Sequence, residues 1–434
     1  MDLLVVTAII VPLLFILLGL SIWVAISLFL MALSAIYLFT PTPPLNILSS
    51  IGWNSVNNWA LVALPLFIFM GELLIKTKIS EKMFTGLSPW LGKLPGGLLH
   101  VNVVASAIFA AVSGSSAATA ATIGKITVPE LKERGYDDRL ALGSLGGAGT
   151  LGFLIPPSLV MIIYGVLASV SIGQLFIAGV IPGLLLAGSF MAYLAIVSLV
   201  RPDMTPDDLG ENYTWKQRLS GLWDLLPVVL LIIAVLGSIY LGWATPTESA
   251  AIGVVGALLL ALAYRTLTWR GFIDATLGAV RTTCMIGFIV AGAQVLATAM
   301  GFLGLPRALA QWIASLDLAA YTLIAVLVIF YIILGYFLDG ISMIVVTLPI
   351  TLPLIETAGF SPLWFGIFLV LMVETAQITP PVGFNLFVIQ GISKHSIGFV
   401  ARAAFPFFLI LLALTALITL LPGIVLFLPG QMAS

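Results

Sequence analysis

Residues 112–124 read VSGSSAATAATIG, a run of small and hydroxylated residues that lies between two apolar stretches. The whole chain is 61% hydrophobic and only 8% charged. A soluble domain carries about 25% charged residues. Because so few charges cannot cover a water-facing surface, the sequence predicts an integral membrane protein. A segment with so little side-chain bulk inside such a chain indicates a break in a membrane helix.

The bulk composition also excludes some partners. A net charge of −1 argues against nucleic acid. The single cysteine, Cys284, cannot form an internal disulfide, and its apolar surroundings predict a buried, inert thiol. Residues 1–20 lack the basic start of a secretory signal and run directly into a second apolar stretch. We therefore expect them to remain as the first membrane helix.

Apolar stretches divide into continuous and broken ones. A membrane span needs roughly 20 mostly apolar residues. Continuous candidates are residues 3–20, 22–39, 59–75, 175–200, 222–241, 249–264, 275–300 and 398–428. Four other stretches are interrupted by Gly, Pro and Ser, namely 98–130, 140–169, 319–357 and 363–392. The polar segment 201–221 separates the two halves as a predicted cytoplasmic linker.

The two halves resemble each other at a shift of 224 residues. The diproline Pro156-Pro157 then falls on Pro380-Pro381, and Gly135 falls on Gly359. Diprolines are rare in apolar segments, so the match predicts a duplication. Repeat 1 covers 1–200, with scaffold helices in 1–76, a re-entrant hairpin in 98–130 and a broken helix in 140–169. Repeat 2 covers 222–434, with a hairpin in 319–357 and a broken helix in 363–392.

Basic residues predict the orientation. We place the first hairpin so that it enters and leaves the membrane from the same face. Of the 17 Lys and Arg residues, 16 then lie on that side of the membrane, and only Arg307 lies on the opposite side. The positive-inside rule makes that side cytoplasmic. The second hairpin then opens to the exterior, so the repeats are predicted to be inverted, with both termini periplasmic.

The broken segments predict a binding site. Unpaired backbone groups in hydrocarbon cost several kcal/mol each, so breaks are tolerated only inside protein or around a polar cavity. Inverted repeats with broken helices are typical of secondary transporters, which hold substrate and ions where the breaks meet. Ser113 and Ser115 would offer hydroxyl and carbonyl oxygens to a hard cation such as sodium. Pro156 would release the carbonyls of Gly152 and Ile155 for the same ion.

The second half repeats this scheme with LDGIS (338–342) and ETAQITPP (374–381). Asp339 and Glu374 are the only acidic residues near the expected mid-membrane site, which makes each a candidate functional residue. Two simpler interpretations stay open. The small residues around 113–120 could serve only close helix packing, and both carboxylates could lie at the membrane interface.

Catalytic motifs are absent from the sequence. It contains no phosphate-binding GxxxxGK[ST] loop, no HExxH and no nucleophile elbow. His100 and His395 stand alone, without other metal-ligating residues. We therefore expect a protein that is not an enzyme, whose uphill transport would draw on an ion gradient or an external energy source.

Five motifs together resemble one family. SGSSAATAATIG, GGAGTLGFLIPPS, GWATPTESAA, LDGISMIVVTLPITLP and ETAQITPPVGFNLFVI occur in this order and look like the large membrane subunit of tripartite ATP-independent periplasmic (TRAP) transporters. The resemblance covers nearly the whole chain. It implies an all-α polytopic fold of the ion-transporter superfamily, with an elevator-type transport domain that slides against a scaffold.

The resemblance also implies partners and site residues. It implies sodium-driven uptake of a small organic acid across the bacterial inner membrane, a periplasmic substrate-binding protein and a separate small four-helix membrane subunit, all in membrane lipid. The sodium ligands it implies are Ser113, Ser115, Gly152, Ile155 and Pro157, with Asp339, Gly340, Ala376, Thr379 and Pro381 in the second repeat. The candidate substrate ligands are Ser116, Thr119, Thr375 and Asn385.

Three alternatives remain at this point. A standalone sodium–dicarboxylate symporter of the same superfamily would need no binding protein. A non-transporting membrane scaffold would show no sodium-dependent stabilisation. A channel would explain the inverted duplication and the paired diprolines less well than a transporter does.

Overall fold

The computed structural model contains helices and connecting loops, and no β-strand occurs among the residues that it describes. Seven helices are long and apolar enough to cross a membrane, or eight if Leu48–Val56 and Trp59–Ile75, which meet at 51°, count as one span. The predicted all-α polytopic class is confirmed. The described residues are 9, 12, 13, 16, 17, 19–41, 43–77, 79–206, 214–306, 308, 311, 319–381 and 383–432.

Where the connecting residues are all described, the helices of both halves follow one another through short loops. Those of the first half are Val24–Phe39, Pro44–Val56, Ala63–Ile75, Ile79–Leu91, Leu99–Ser113, Ser116–Glu133, Asp138–Gly149, Leu151–Leu154, Leu159–Ala168 and Ile172–Val200. Those of the second half are Trp215–Tyr240, Pro246–Ala263, Trp269–Leu303, Ala320–Leu334, Gly340–Thr357, Pro362–Gln377, Phe384–Ser393, Ile397–Leu420 and Gly423–Leu426. Single 3₁₀ turns occur at Trp59–Val62, Pro202–Met204 and Pro429–Gln431.

The opening stretch forms the turn of a helical hairpin. Helices Leu99–Ser113 and Ser116–Glu133 pack against each other and make up what we call the first hairpin. Gly114 ends the first helix with φ +59°, a left-handed conformation that favours glycine. Ser115 then turns extended and caps the second helix by accepting a hydrogen bond from the backbone N–H of Ala118. The small residues are therefore needed for a two-residue turn.

A helix with a central break follows the first hairpin. This first interrupted helix runs over Asp138–Ala168 and loses its regular geometry at the diproline. Ile155 is extended there, and the side chain of Ser158 caps the next helical segment by accepting from the N–H of Met161. Because prolines 156 and 157 have no N–H, the helical ladder cannot pass through them. Both diproline peptide bonds, Pro156–Pro157 and Pro380–Pro381, are cis.

Elements of the second half have lengths and an order that match those of the first. The second hairpin consists of Ala320–Leu334 and Gly340–Thr357, whose lengths of 15 and 18 residues equal those of the first hairpin. The second interrupted helix consists of Pro362–Gln377 and Phe384–Ser393. Matching boundaries are what a duplication of the chain would produce. The opposite membrane orientation of the halves stays a prediction.

The helices pack in two groups. Val24–Phe39, the helices of 44–91 and the three helices of 215–303 contact one another along one side. The hairpins and interrupted helices form the other group. Each hairpin contacts the interrupted helix of its own half and also the second segment of the other half's interrupted helix. This exchange brings the two hairpin turns and the two breaks into one interior.

Two helix boundaries differ from the sequence prediction. Helix Trp215–Tyr240 begins inside the predicted linker 201–221, because Thr214 and Gln217 form a reciprocal capping box that starts it. The predicted span 398–428 ends as a helix at Leu420, since Pro422 has no N–H with which to continue the ladder.

Two expectations about single regions also need comment. Cys284 is exposed on helix Trp269–Leu303 and is not the buried thiol that the sequence predicted. An apolar neighbourhood along the sequence identifies a membrane helix but not the face that packs inward. Most of the predicted first span, 3–20, lies outside the described residues.

Candidate substrate and ion site

Glu374 lies at the centre of the interior where the two halves meet. Its side chain is fully buried. Oε2 accepts a hydrogen bond from Ser116 Oγ at 2.8 Å, and Oε1 accepts one from the backbone N–H of Phe153 at 2.6 Å. One carboxylate of the second half thus contacts both the first hairpin and the first interrupted helix.

Ser116 connects further groups to this carboxylate. Its Oγ accepts a hydrogen bond from Asn385 Nδ2 at 2.7 Å and also lies 3.0 Å from the carbonyl of Gly149. A side chain at Gly152 would place Cβ 2.4 Å from Ser116 Cα, so only glycine permits this approach. Three of the residues singled out from sequence, Ser116, Gly152 and Asn385, are therefore brought together.

Three neutral oxygens form a cluster at the first hairpin turn. Thr119 Oγ1 lies 3.0 Å from Ser113 Oγ and donates to the carbonyl of Ser115 at 2.8 Å. Ser113 Oγ is 3.4 Å from the same carbonyl. The side chains of Ser113 and Thr119 are both buried. The structure thus places Thr119, a candidate substrate ligand by sequence, beside the two serines predicted to bind sodium.

The hairpin turn rests directly on the diproline break. A Cβ at Gly114 would lie 2.8 Å from the carbonyl oxygen of Pro157, and the N–H of Leu159 donates to the carbonyl of Gly114 at 3.3 Å. Proline at position 156 also removes the N–H that the carbonyl of Gly152 would meet in a continuous helix. Ile155 lies in the break and packs against Gly183.

The second hairpin turn approaches its own break in a comparable way. A Cβ added at Gly335 would lie 2.4 Å from Ala376 Cβ, and one added at Gly340 would lie 2.3 Å from the Val373 side chain. Asp339 is exposed and caps the following helix. Its carboxylate accepts hydrogen bonds from the N–H of Ile341 at 3.1 Å and from the Ser342 hydroxyl.

Three other predicted residues either donate hydrogen bonds to nearby backbone carbonyls or are exposed. Thr375 Oγ1 donates to the carbonyl of Leu371 at 2.7 Å, and Thr379 Oγ1 donates to that of Thr375 at 2.5 Å. Pro381 is exposed. No hydrogen bond among the described residues joins these three residues to Ser116, so their assignment stays a prediction.

Two amide oxygens of the second interrupted helix and its break lack hydrogen-bond partners within the described part of the chain. They are Asn385 Oδ1 and Gln377 Oε1, on side chains that are fully and 93% buried respectively. Buried polar atoms are normally paired, so unpaired ones indicate space for an ion, water or ligand. Sequence reasoning passed over Gln377, although it stands as a polar residue inside the quoted ETAQITPP motif.

Hairpin turns packed on helix breaks at a polar interior define a polytopic membrane transport protein. The fold is similar to that of the Alcanivorax borkumensis YdaH transporter, with a TM-score of 0.63 and 14% sequence identity over 87% of this chain and 89% of that one. Residues 11–424 match the family described as "Tripartite ATP-independent periplasmic transporter, DctM component".

Characterised relatives agree with this match. The chain is 35% identical to the C4-dicarboxylate TRAP transporter large permease protein of Pseudomonas aeruginosa, over 86% of this chain and 87% of the relative. It is 30% identical to the sialic acid TRAP transporter large permease protein of Vibrio cholerae, over 94% of both chains. The chain therefore belongs to the DctM component family of TRAP transporters. It is a multi-pass membrane transport protein and not an enzyme.

Proposed function

We propose that the protein takes up a small organic acid across the bacterial inner membrane, driven by sodium ions. The observation that carries this proposal is the meeting of both halves at Glu374, Ser116 and Asn385, beside a hairpin turn rich in neutral oxygens. Helix breaks that meet in a polar interior are the usual site of substrate and coupling ions in secondary transporters.

The oxygen cluster at the first turn supports a sodium site. Ser113, Ser115 and Thr119 offer two hydroxyls and a carbonyl within 3.4 Å of one another. Hard cations prefer oxygen ligands. Neutral oxygens bind a cation without leaving a permanent charge in the membrane when it departs. The carbonyls of Gly152, Ile155 and Pro157 would complete this site.

A second sodium site would lie at the second hairpin turn. Its proposed ligands are Asp339, Gly340, Ala376, Thr379 and Pro381. The close approach of Gly335 and Gly340 to the helix that carries Ala376 supports this position. The Asp339 carboxylate already satisfies backbone donors of its helix, so its part in ion binding needs a direct test.

The substrate would bind between the two turns. Ser116 and Asn385 are fully buried, and Asn385 Oδ1 and Gln377 Oε1 have no hydrogen-bond partner within the described residues. No arginine lies in either turn or break. A carboxylate would therefore be held by amide and hydroxyl donors and by the sodium ions. Relatives named for C4-dicarboxylate and sialic acid support an organic acid.

Two partners and a movement complete the proposal. The family name describes a tripartite, periplasmic system. We therefore expect a periplasmic binding protein to deliver the substrate and a small four-helix membrane subunit to join the scaffold. The helix group that contains the hairpins and interrupted helices would move as an elevator against the group formed by residues 24–91 and 215–303.

Reconstituted uptake tests the function. Proteoliposomes would contain the chain with its small subunit, and the binding protein with radiolabelled C4-dicarboxylate or sialic acid would be added outside. We expect accumulation only with an inward sodium gradient and the binding protein. Uptake by the chain alone would instead identify a standalone symporter. Uptake at the same rate with and without a sodium gradient would refute the coupling of transport to sodium.

A matched pair of variants connects uptake to the first site. Ser115→Leu places a bulky side chain at the hairpin turn that carries the oxygen cluster, and it should abolish sodium-driven uptake. Ser189→Leu makes the same change on the exposed surface of helix Ile172–Val200 and should leave uptake near the wild-type rate. Normal uptake by Ser115→Leu would remove the first sodium site.

A further inference from the structure

A pocket lined by arginines lies apart from the interior site. Its volume is about 400 Å³, and three helix ends meet around it. Arg139 comes from the first turn of the first interrupted helix, and Arg201 follows the end of Ile172–Val200. Arg402 comes from the second turn of Ile397–Leu420. All three side chains are exposed at the pocket.

Among the residues that the structure describes, no carboxylate pairs with these three arginines. None of the described residues that line the pocket is acidic. Two nearby acids have other partners, since Asp137 caps its helix and Asp138 pairs with His395 at 3.0 Å. Asp203, two positions after Arg201, is exposed and forms no ion pair within the described ranges.

Within the described part of the chain, most N–H groups of these arginines have no hydrogen-bond acceptor. Arg402 uses only Nε, which donates to the carbonyl of Gly398 at 3.2 Å. The Arg139 guanidinium stands 5.8 Å from the ring centroid of Phe399, a cation–π contact that leaves its N–H groups without a carboxylate partner. Guanidinium groups match phosphate oxygens with paired hydrogen bonds.

Apolar side chains form the rest of the pocket and continue onto the outer surface. Ile196, Val197 and Pro406 line it, and Tyr193 is partly buried beside them. Ile196 and Val200 are 60% and 72% exposed on the membrane helix that ends at Arg201. A positive cluster at helix ends lies beside an apolar helix face. This arrangement is complementary to an anionic phospholipid, whose negative phosphate is joined to apolar acyl chains.

We propose that this pocket binds the headgroup phosphate of an anionic phospholipid. The three arginines contact the phosphate, and an acyl chain lies along Ile196 and Val200. Basic pockets between membrane helices on the cytoplasmic side bind such headgroups. The bound lipid links the start of the first interrupted helix to two neighbouring helices. This site does not depend on the proposed substrate or on sodium.

Lipid titration of the full-length chain in detergent tests the site. Native mass spectrometry would measure binding of phosphatidylglycerol, with phosphatidylcholine and inorganic phosphate as separate probes. We expect phosphatidylglycerol to bind and to raise the melting temperature, and neither other probe to do so. The apparent affinity should fall about fivefold for Arg201→Gln, and on the order of a hundredfold when all three arginines become Gln.

A charge-matched control separates this pocket from general attraction. Changing Arg265, Arg270 and Arg281 to Gln removes three exposed arginines that lie outside the pocket and should preserve the affinity. Equal losses in both triple variants would overturn the proposal, as would protection by inorganic phosphate alone. Arg201→Gln removes one exposed side chain beyond a helix end, so it keeps the test valid if the triple variant does not fold.

Discussion

Glu374 Oε2 accepts a hydrogen bond from Ser116 Oγ at 2.8 Å across 258 positions of the chain. The two residues belong to different halves, and both are completely buried. The same carboxylate accepts from the N–H of Phe153, which lies one turn before the first diproline. A single side chain thus fixes the second interrupted helix against the hairpin turn and the break of the first half.

Removal of this carboxylate should destabilise the fold more than removal of its charge. Glu374→Ala leaves the buried N–H of Phe153 without an acceptor, which costs about 1–3 kcal/mol. Glu374→Gln can still accept from Phe153 through Oε1 and can donate to Ser116 through its amide. We expect a clear fall in the melting temperature for alanine and a much smaller one for glutamine, measured by thermal denaturation in detergent.

The control for this comparison is Glu133→Ala. Glu133 is exposed at the end of the first hairpin, so its replacement should leave the melting temperature nearly unchanged. Equal melting temperatures for Glu374→Ala and wild type would show that the carboxylate does not hold the two halves together.

Local features of the fold could be predicted from sequence. Gly114 and the serines beside it predicted a hairpin turn, and the diprolines predicted the helix breaks, because both effects depend on the backbone chemistry of the residues themselves. The position of helix Trp215–Tyr240 was less clear. Its start depends on a capping interaction between Thr214 and Gln217 within a polar segment that reads as a linker.

The arrangement of the site could be predicted only in part. Sequence pointed to Ser116, Gly152 and Asn385 separately, and the structure brings the other two against Ser116. Ser116 also donates to Glu374, a carboxylate that sequence weighed as a possible interfacial residue. Depth in the membrane is set by tertiary packing, which places Glu374 in the interior and leaves Asp339 exposed at a helix start. Neither position follows from local composition.

Gly152 should tolerate no side chain. In Gly152→Ala the new Cβ would lie 2.4 Å from Ser116 Cα and 2.5 Å from its N, so backbone would have to move at a cost of about 1–3 kcal/mol. We expect a lower melting temperature and loss of sodium-driven uptake. Gly188→Ala is the matched control, because nothing lies within 4 Å of its added Cβ. Wild-type behaviour of Gly152→Ala would mean that the turn and the break are not closely apposed.

Asp339 offers a way to separate helix capping from ion binding. Asparagine caps helices as well as aspartate does, whereas alanine costs about 0.5–2 kcal/mol at such a position. In sodium-free buffer we expect Asp339→Asn to melt near the wild type and Asp339→Ala to melt lower. If the carboxylate binds sodium, replacing choline chloride with sodium chloride should raise the melting temperature of both variants less than that of the wild type.

The capping control for this experiment is Ser396→Ala. Ser396 caps helix Ile397–Leu420, so its loss should lower the melting temperature without changing the response to sodium. A full sodium response in Asp339→Asn would assign the carboxylate to helix capping alone and remove it from the second site.

The orientation of the halves can be tested at the last residues of the two hairpins. Glu133 and Thr357 are both exposed and end equivalent helices. Each is changed to cysteine in a Cys284→Ala background, because the native thiol is itself exposed. Since inverted repeats place equivalent positions on opposite faces, an impermeant maleimide should reach position 357 from the periplasm and position 133 only after the membrane is opened. Labelling of both cysteines in sealed cells would show that the two halves share one orientation, and detergent-treated cells confirm that each thiol is reactive.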